Sequence, residues 1–147
     1  MKLSTKGRYG LKAIIDLAIY STKAPVSIHS ISVRQEISER YLEQIIARLK
    51  KAGLVVSARG AGGGYQLARP AAEISVGDVL YALEGDLNPV DCKALSGAEG
   101  CKNSDVCLTK YVWQQIHESI QNTVNHIYLG ELVERGKGCG KGSGNEQ

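Results

Sequence analysis

Residues 37–68 read ISERYLEQIIARLKKAGLVVSARGAGGGYQLA, and the fold turns on how this stretch is parsed. Ser38 stands at a capping position, and Leu42, Ile45, Ile46 and Leu49 recur at helical steps, so one apolar stripe forms. Arg40, Glu43, Gln44, Arg48 and Lys51 are left to face outward. Gly53 suits the left-handed position that ends such a helix. Beyond it, the β-prone pieces 54–57 and 64–68 flank a glycine-rich connection, which is the pattern of a hairpin.

Working upstream, Leu11, Ile14, Ile15, Leu17, Ala18 and Ile19 predict a helix over 7–20, with Ser4 and Thr5 available as caps. Pro25 disfavours helical geometry at Ala24, and Ser27 then caps a short helix through Ile28, Ile31 and Val33. A short helix, a turn, a second helix with a polar outer face and a hairpin make a winged helix-turn-helix. In that arrangement the second helix enters a major groove, while Arg59 at the hairpin tip reaches the backbone or an adjacent minor groove. The GAGGG run lacks the Lys-Ser/Thr of a nucleotide-binding P-loop and opens no helix.

Charge supports the same reading. The 147 residues carry a formal net charge of +3, but residues 1–70 hold twelve Lys/Arg against four Asp/Glu, and the remainder six against eleven. The basic half points to a polyanion. Arg40, Arg48, Lys50 and Lys51 are placed to anchor phosphates and to make binding salt-dependent. Glu43 is the exception, since a carboxylate near DNA is repelled unless it accepts from a cytosine amino group. No apolar run is long enough to span a bilayer and the start lacks a secretory h-region, so a cytoplasmic location is expected.

Downstream, Ser75 caps a further short helix through Val76, Val79, Leu80 and Leu83. Three of the four cysteines follow, Cys92, Cys101 and Cys107, with gaps of eight and five residues. A reducing compartment disfavours disulfides, leaving metal binding or redox sensing. Spacing alone leaves structural zinc and an iron–sulfur cluster both open, although zinc sites favour shorter pairs. Over 106–134, Tyr111, Val112, Ile116, Ile120, Val124, Ile127, Tyr128 and Leu132 continue mostly at helical steps. A single helix of that length measures about 40 Å, too long for one small domain to cover, so a homodimer through this helix is expected. Folding back on its own domain is the alternative. His29 is expected to be half-buried or near phosphate, and His117 and His126 to pack beside the apolar stripe.

The fold class expected is therefore mainly α with a small β-hairpin wing. A winged helix-turn-helix domain spans 1–88, a cysteine segment 89–107, a dimerisation helix 108–134 and a disordered tail 135–147. No nucleophile, acid or base stands at catalytic spacing, so the chain is not expected to be an enzyme.

The strings MKLSTKGRYGLKAIIDLA, ISERYLEQIIARLKKAGLV and RGAGGGYQLARP, taken with the cysteine trio, resemble the IscR-type iron–sulfur cluster-binding winged helix-turn-helix regulators over residues 1–134. The resemblance implies a homodimeric transcription factor on a pseudo-palindromic double-stranded DNA operator, sensing cluster status and controlling cluster-assembly genes. It implies a [2Fe-2S] cluster on Cys92, Cys101 and Cys107, with DNA contacts from Ser38, Tyr41, Glu43, Gln44 and Arg59. Two departures stand out. The family pattern has equal five-residue gaps and a histidine where this chain has Lys110, a poor iron ligand. Nitric-oxide-sensing relatives use an aspartate where this chain has Arg8. The fourth ligand is thus open among Asp91, Glu99, Ser104, Asp105, His117, Cys139 and a residue of the other subunit. Arg40 stands where the family has a small polar residue, so the resemblance does not carry over the DNA sequence read. A cluster-free redox or cysteine-metabolism regulator on the same scaffold, and a zinc-stabilised DNA-binding protein, are the alternatives.

Overall fold

The computed structural model describes residues 3–88 and 108–140, with side chains described as far as residue 137. Among them run six helices and one hairpin: α1 (Thr5–Tyr20), α2 (Ile28–Gln35), α3 (Glu39–Lys51), β1 (Val55–Ala58), β2 (Gly64–Leu67), a 3-10 turn (Ala71–Glu73), α4 (Val76–Glu84), α5 (Lys110–Asn125) and α6 (Leu129–Gly140). This is the mainly helical winged helix-turn-helix that the sequence predicts.

Local chemistry sets most boundaries. Ser27 and Ser38 accept from the backbone N–H three residues on, opening α2 and α3. Ser75 and Asp78 form a reciprocal capping box at the start of α4. Gly53 takes φ +79° just past α3, where a Cβ would be strained. The opening of α1 departs from expectation, because neither Ser4 nor Thr5 caps it through a side chain. The carboxylate of Glu84, at the far end of α4, accepts instead from Ser4 N (3.1 Å), Gly7 N (3.0 Å) and the Ser4 hydroxyl. A tertiary contact thus satisfies the donors that a local cap would have taken.

The core lies where α1, α3 and α4 meet. Ala13, Ile14 and Leu17 of α1, Ile31 of α2, and Leu42, Ile45 and Leu49 of α3 are fully buried, joined by Val79 and by Leu129 of α6. Gly10 lets α1 approach this layer, since a Cβ there would collide with Leu83 and touch Ile45. The hairpin is antiparallel with Val55 opposite Leu67 and Ala58 opposite Gly64.

The helix expected over 106–134 is divided in two. The helix breaks at His126 and Tyr128 forms a β-bridge with Ser75, where Val76 N–H donates to Ile127 O (2.8 Å) and Leu129 N–H donates to Ile74 O (2.9 Å). Helix α6 then turns back onto α1 and the 3-10 turn, with Leu129 fully buried in the main core. Part of the segment therefore folds back on its own domain. Helix α6 also continues through Gly140, so residues 135–140, assigned above to a disordered tail, are helical; 141–147 lie outside the described residues.

Candidate nucleic-acid interface

Helix α3 presents its polar side completely. Its apolar stripe is covered, with Leu42, Ile45, Ile46 and Leu49 at no more than 1% exposure. Arg40, Glu43, Gln44, Ala47, Arg48 and Lys51 are exposed. Positions 40, 44, 47 and 51 follow one another at steps of four, three and four, and 43 lies three from 40 and four from 47, so they share one face. Neither Arg40 nor Arg48 has an ion-pair partner among the described residues. Ser38 is exposed and serves first as the helix cap, its oxygen accepting from Tyr41 N at 3.2 Å. Its hydroxyl hydrogen stays available to an acceptor.

The wing is fixed to this unit at two places. Tyr65 exchanges both backbone hydrogen bonds with Val26, at 2.8 and 2.9 Å, pinning β2 to the segment that leads into α2. Gly64 permits that approach, since a Cβ there would collide with the Val26 carbonyl. Lys50 Nζ donates to Ser57 Oγ at 2.9 Å, tying the last turn of α3 to β1. One of the lysines expected to anchor phosphate thus also braces the wing. Arg59 is exposed at the tip, where Gly63 N–H closes the turn onto Gly60 O at 2.9 Å.

Sequence reasoning missed Tyr9. Its ring meets that of Tyr41 edge-on at 5.9 Å, and Lys12 Nζ lies 5.7 Å from the Tyr9 ring centre, so α1 supports the start of α3 and adds a cation beside it. The one available signal was the placement of an aromatic residue and a lysine three apart on α1. His29 is neither half-buried nor unpaired: it is exposed, with Nδ1 3.1 Å from Glu39. His126 Nδ1 lies 2.6 Å from Asn122 O, also exposed.

A capped helix with a covered stripe and an open basic face, flanked by a braced wing, is the geometry of a major-groove reader. The family model for Rrf2, described as an iron-dependent transcriptional regulator, matches residues 3–135. The chain belongs to the Rrf2 family. It is 46% identical over 133 residues to the HTH-type transcriptional regulator IscR of Serratia proteamaculans, covering 90% of this chain and 79% of that one. Among solved structures it resembles T. potens IscR, with a TM-score of 0.76 and 42% identity over 92% of this chain and 88% of that one. It equally resembles CymR, the global cysteine regulator of B. subtilis, with a TM-score of 0.76 and 36% identity over 92% and 98%. This Rrf2 protein is accordingly an IscR-like transcriptional regulator and not an enzyme.

Cys92, Cys101 and Cys107 lie outside the described residues, as do Asp91, Glu99, Ser104 and Asp105, and the side chain of Cys139 is not described. His117 is described. Its Nδ1 is buried and, like the Tyr81 hydroxyl, has no hydrogen-bond partner among the described residues. His117 shares a face of α5 with Ile120 and Val124, which pack on Val76 and Leu80 of α4. An imidazole nitrogen without a partner among the described residues is available as a metal ligand, and the chemistry of one imidazole with three soft thiolates fits an iron–sulfur cluster.

Proposed function

We propose that this regulator is a homodimer that binds a pseudo-palindromic double-stranded DNA operator and carries a [2Fe-2S] cluster whose status governs its control of cluster-assembly genes. Cys92, Cys101 and Cys107 would hold the cluster, with His117 the available nitrogen donor. When bound, the cluster makes DNA affinity responsive to iron and oxidant supply. The carrying observation is the open basic face of α3, in a chain of the Rrf2 family whose sequence also holds three clustered cysteines.

Each residue then has a task. Gln44, and Glu43 through a cytosine amino group, read base edges; Ala47, small and exposed between them and Lys51, allows a close approach. Arg40, Arg48, Ser38 and Tyr41 hold phosphate, and Arg59 enters the neighbouring minor groove. Helix α5 supports the dimer reading, since it buries no residue while Tyr111, Val112 and Ile116 are 68, 46 and 39% exposed. The protein acts in the cytoplasm, where its DNA is.

The likeness to CymR favours a second reading, a cysteine-metabolism or redox regulator without a cluster. Anaerobic purification separates the two. A reddish-brown protein with iron and sulfide in equal amounts is expected, and apo and loaded forms should select different operators from one panel. A colourless protein, holding zinc or no metal with all thiols intact, overturns the cluster reading.

A further inference from the structure

The helix-turn-helix contains a buried carboxylate that DNA reading as described above does not use. Asp16 of α1 is 0% exposed, and both of its oxygens are engaged from the end of α2. Arg34 donates Nε to Oδ2 and Nη2 to Oδ1, each at 2.8 Å, in a bidentate fork, and Gln35 Nε2 donates to Oδ2 at 3.0 Å. The Arg34 guanidinium also lies over the Tyr20 ring at 4.1 Å, so α1 holds it from two sides.

Arg34 and Gln35 are the last two residues of α2. Directly after them Glu36 takes φ 55°, a left-handed backbone that a residue with a Cβ adopts at a cost, and Ser38 caps α3 two residues later. On the other side of the bend, Ser32 Oγ donates to Ile37 O at 2.6 Å and Ile37 N–H donates to Ser32 O at 3.3 Å. The turn is therefore tied on its inside by Ser32 and to α1 by Asp16. Burial of the α3 stripe fixes the helix against the core, and these ties set the angle at which it leaves the turn, since only three residues of bent backbone join it to α2.

We propose that Asp16 is a positioning residue for DNA readout: through Arg34 and Gln35 it sets the angle at which α3 meets the groove, and thereby the discrimination between operator and random DNA. Arg34 is then no phosphate contact, although it belongs to the basic half of the chain. Its fork is already filled, and its pKa is raised chiefly by the hydrogen bond to Asp16, so the guanidinium keeps its charge. A group so engaged releases few counterions on binding DNA. A change of angle, in contrast, moves base contacts out of reach while leaving a cationic surface that still holds any duplex.

The inference rests on the reading of the chain as a sequence-specific DNA binder, and the test separates the two. The wild-type protein selects a duplex from a randomised library; Arg34→Lys, which keeps the charge but cannot fork, and Asp16→Asn are then titrated on that duplex and on a scrambled one across a salt series. Affinity for the selected duplex should fall about tenfold or more, the size of a lost base contact, while the scrambled duplex is held within about twofold. The salt slope should not change. Equal losses on both duplexes, a slope reduced by about one unit as for a lost phosphate contact, or no loss at all would overturn the proposal. Asp16→Asn buries an altered group, so Gln35→Ala, which leaves the fork intact, provides a milder step in the same direction should that variant fail to fold. Failure of the wild type to enrich any duplex would instead remove the DNA-binding reading itself.

Discussion

Helices α3 and α5 are of similar length and both amphipathic, yet they end in opposite conditions. Every apolar residue in the stripe of α3 is covered within its own chain, and what remains outside is polar apart from Ala47. Helix α5 has no buried residue, and its apolar side chains Tyr111, Val112 and Ile116 remain in solvent. The first helix is complete as a surface for a polyanion; the second is complete only when something apolar covers it. The face proposed to read DNA thus has its apolar side closed by its own chain, while the face proposed to pair is left open.

The contrast breaks or holds most clearly on matched truncations. Ile45→Ala in α3 should lower unfolding free energy by about 2–5 kcal/mol in urea titrations, the cost of removing a fully buried branched chain. Ile116→Ala in α5, measured at concentrations where the protein is monomeric, should cost less than about 0.5 kcal/mol, as an exposed position does. Ile116→Glu should shift the sedimentation coefficient from dimer to monomer without loss of helical signal. Equal costs at the two isoleucines would mean that α5 is as well packed as α3.

Glycines sharpen the same comparison at a smaller scale. Gly64→Ala should destabilise by about 1–3 kcal/mol, since the new methyl meets the Val26 backbone, which cannot move without freeing the wing. Gly136 in α6 has nothing within 4 Å of a built Cβ. Gly136→Ala should therefore stabilise by about 0.5–1 kcal/mol through helix propensity alone. Thermal melts of the two variants check both signs.

The asymmetry also explains which parts could be read in advance. In the first half the signals are local: Ser27 and Ser38 cap the helices they precede, the α3 stripe has a clean period, and Gly53 marks its end. The division of α5 from α6 had no such signal, because Val124, Ile127, Tyr128 and Leu132 keep a near-helical step across it. It is set by Ile74 and Val76, some fifty residues away in the chain, which pair with the backbone at 127 and 129. The cap of α1 by Glu84 and the clamp of Arg34 on Asp16 were hidden for the same reason. The candidate interface was legible as a face, down to Arg40, Glu43, Gln44 and Arg48, but its supports in Tyr9 and Lys50 depend on contacts between elements.

The smallest effect tests whether the open cations of α3 differ in kind from those elsewhere. Arg48 is exposed, unpaired among the described residues and on the reading helix. Arg135 is also exposed, but on α6 it pairs with Glu131 at 3.2 Å, four residues before it. An exposed pair of this kind is worth little to stability, so removing either arginine should leave the fold alone. Only one of them should alter the ionic-strength dependence of DNA binding. Arg48→Ala is expected to reduce the slope of log affinity against log salt by about one unit, the signature of one lost phosphate contact, with the same reduction on selected and scrambled duplexes. Arg135→Ala should leave the slope as it is. If both arginines changed it alike, the cationic field would be diffuse and the face of α3 would have no special place in it.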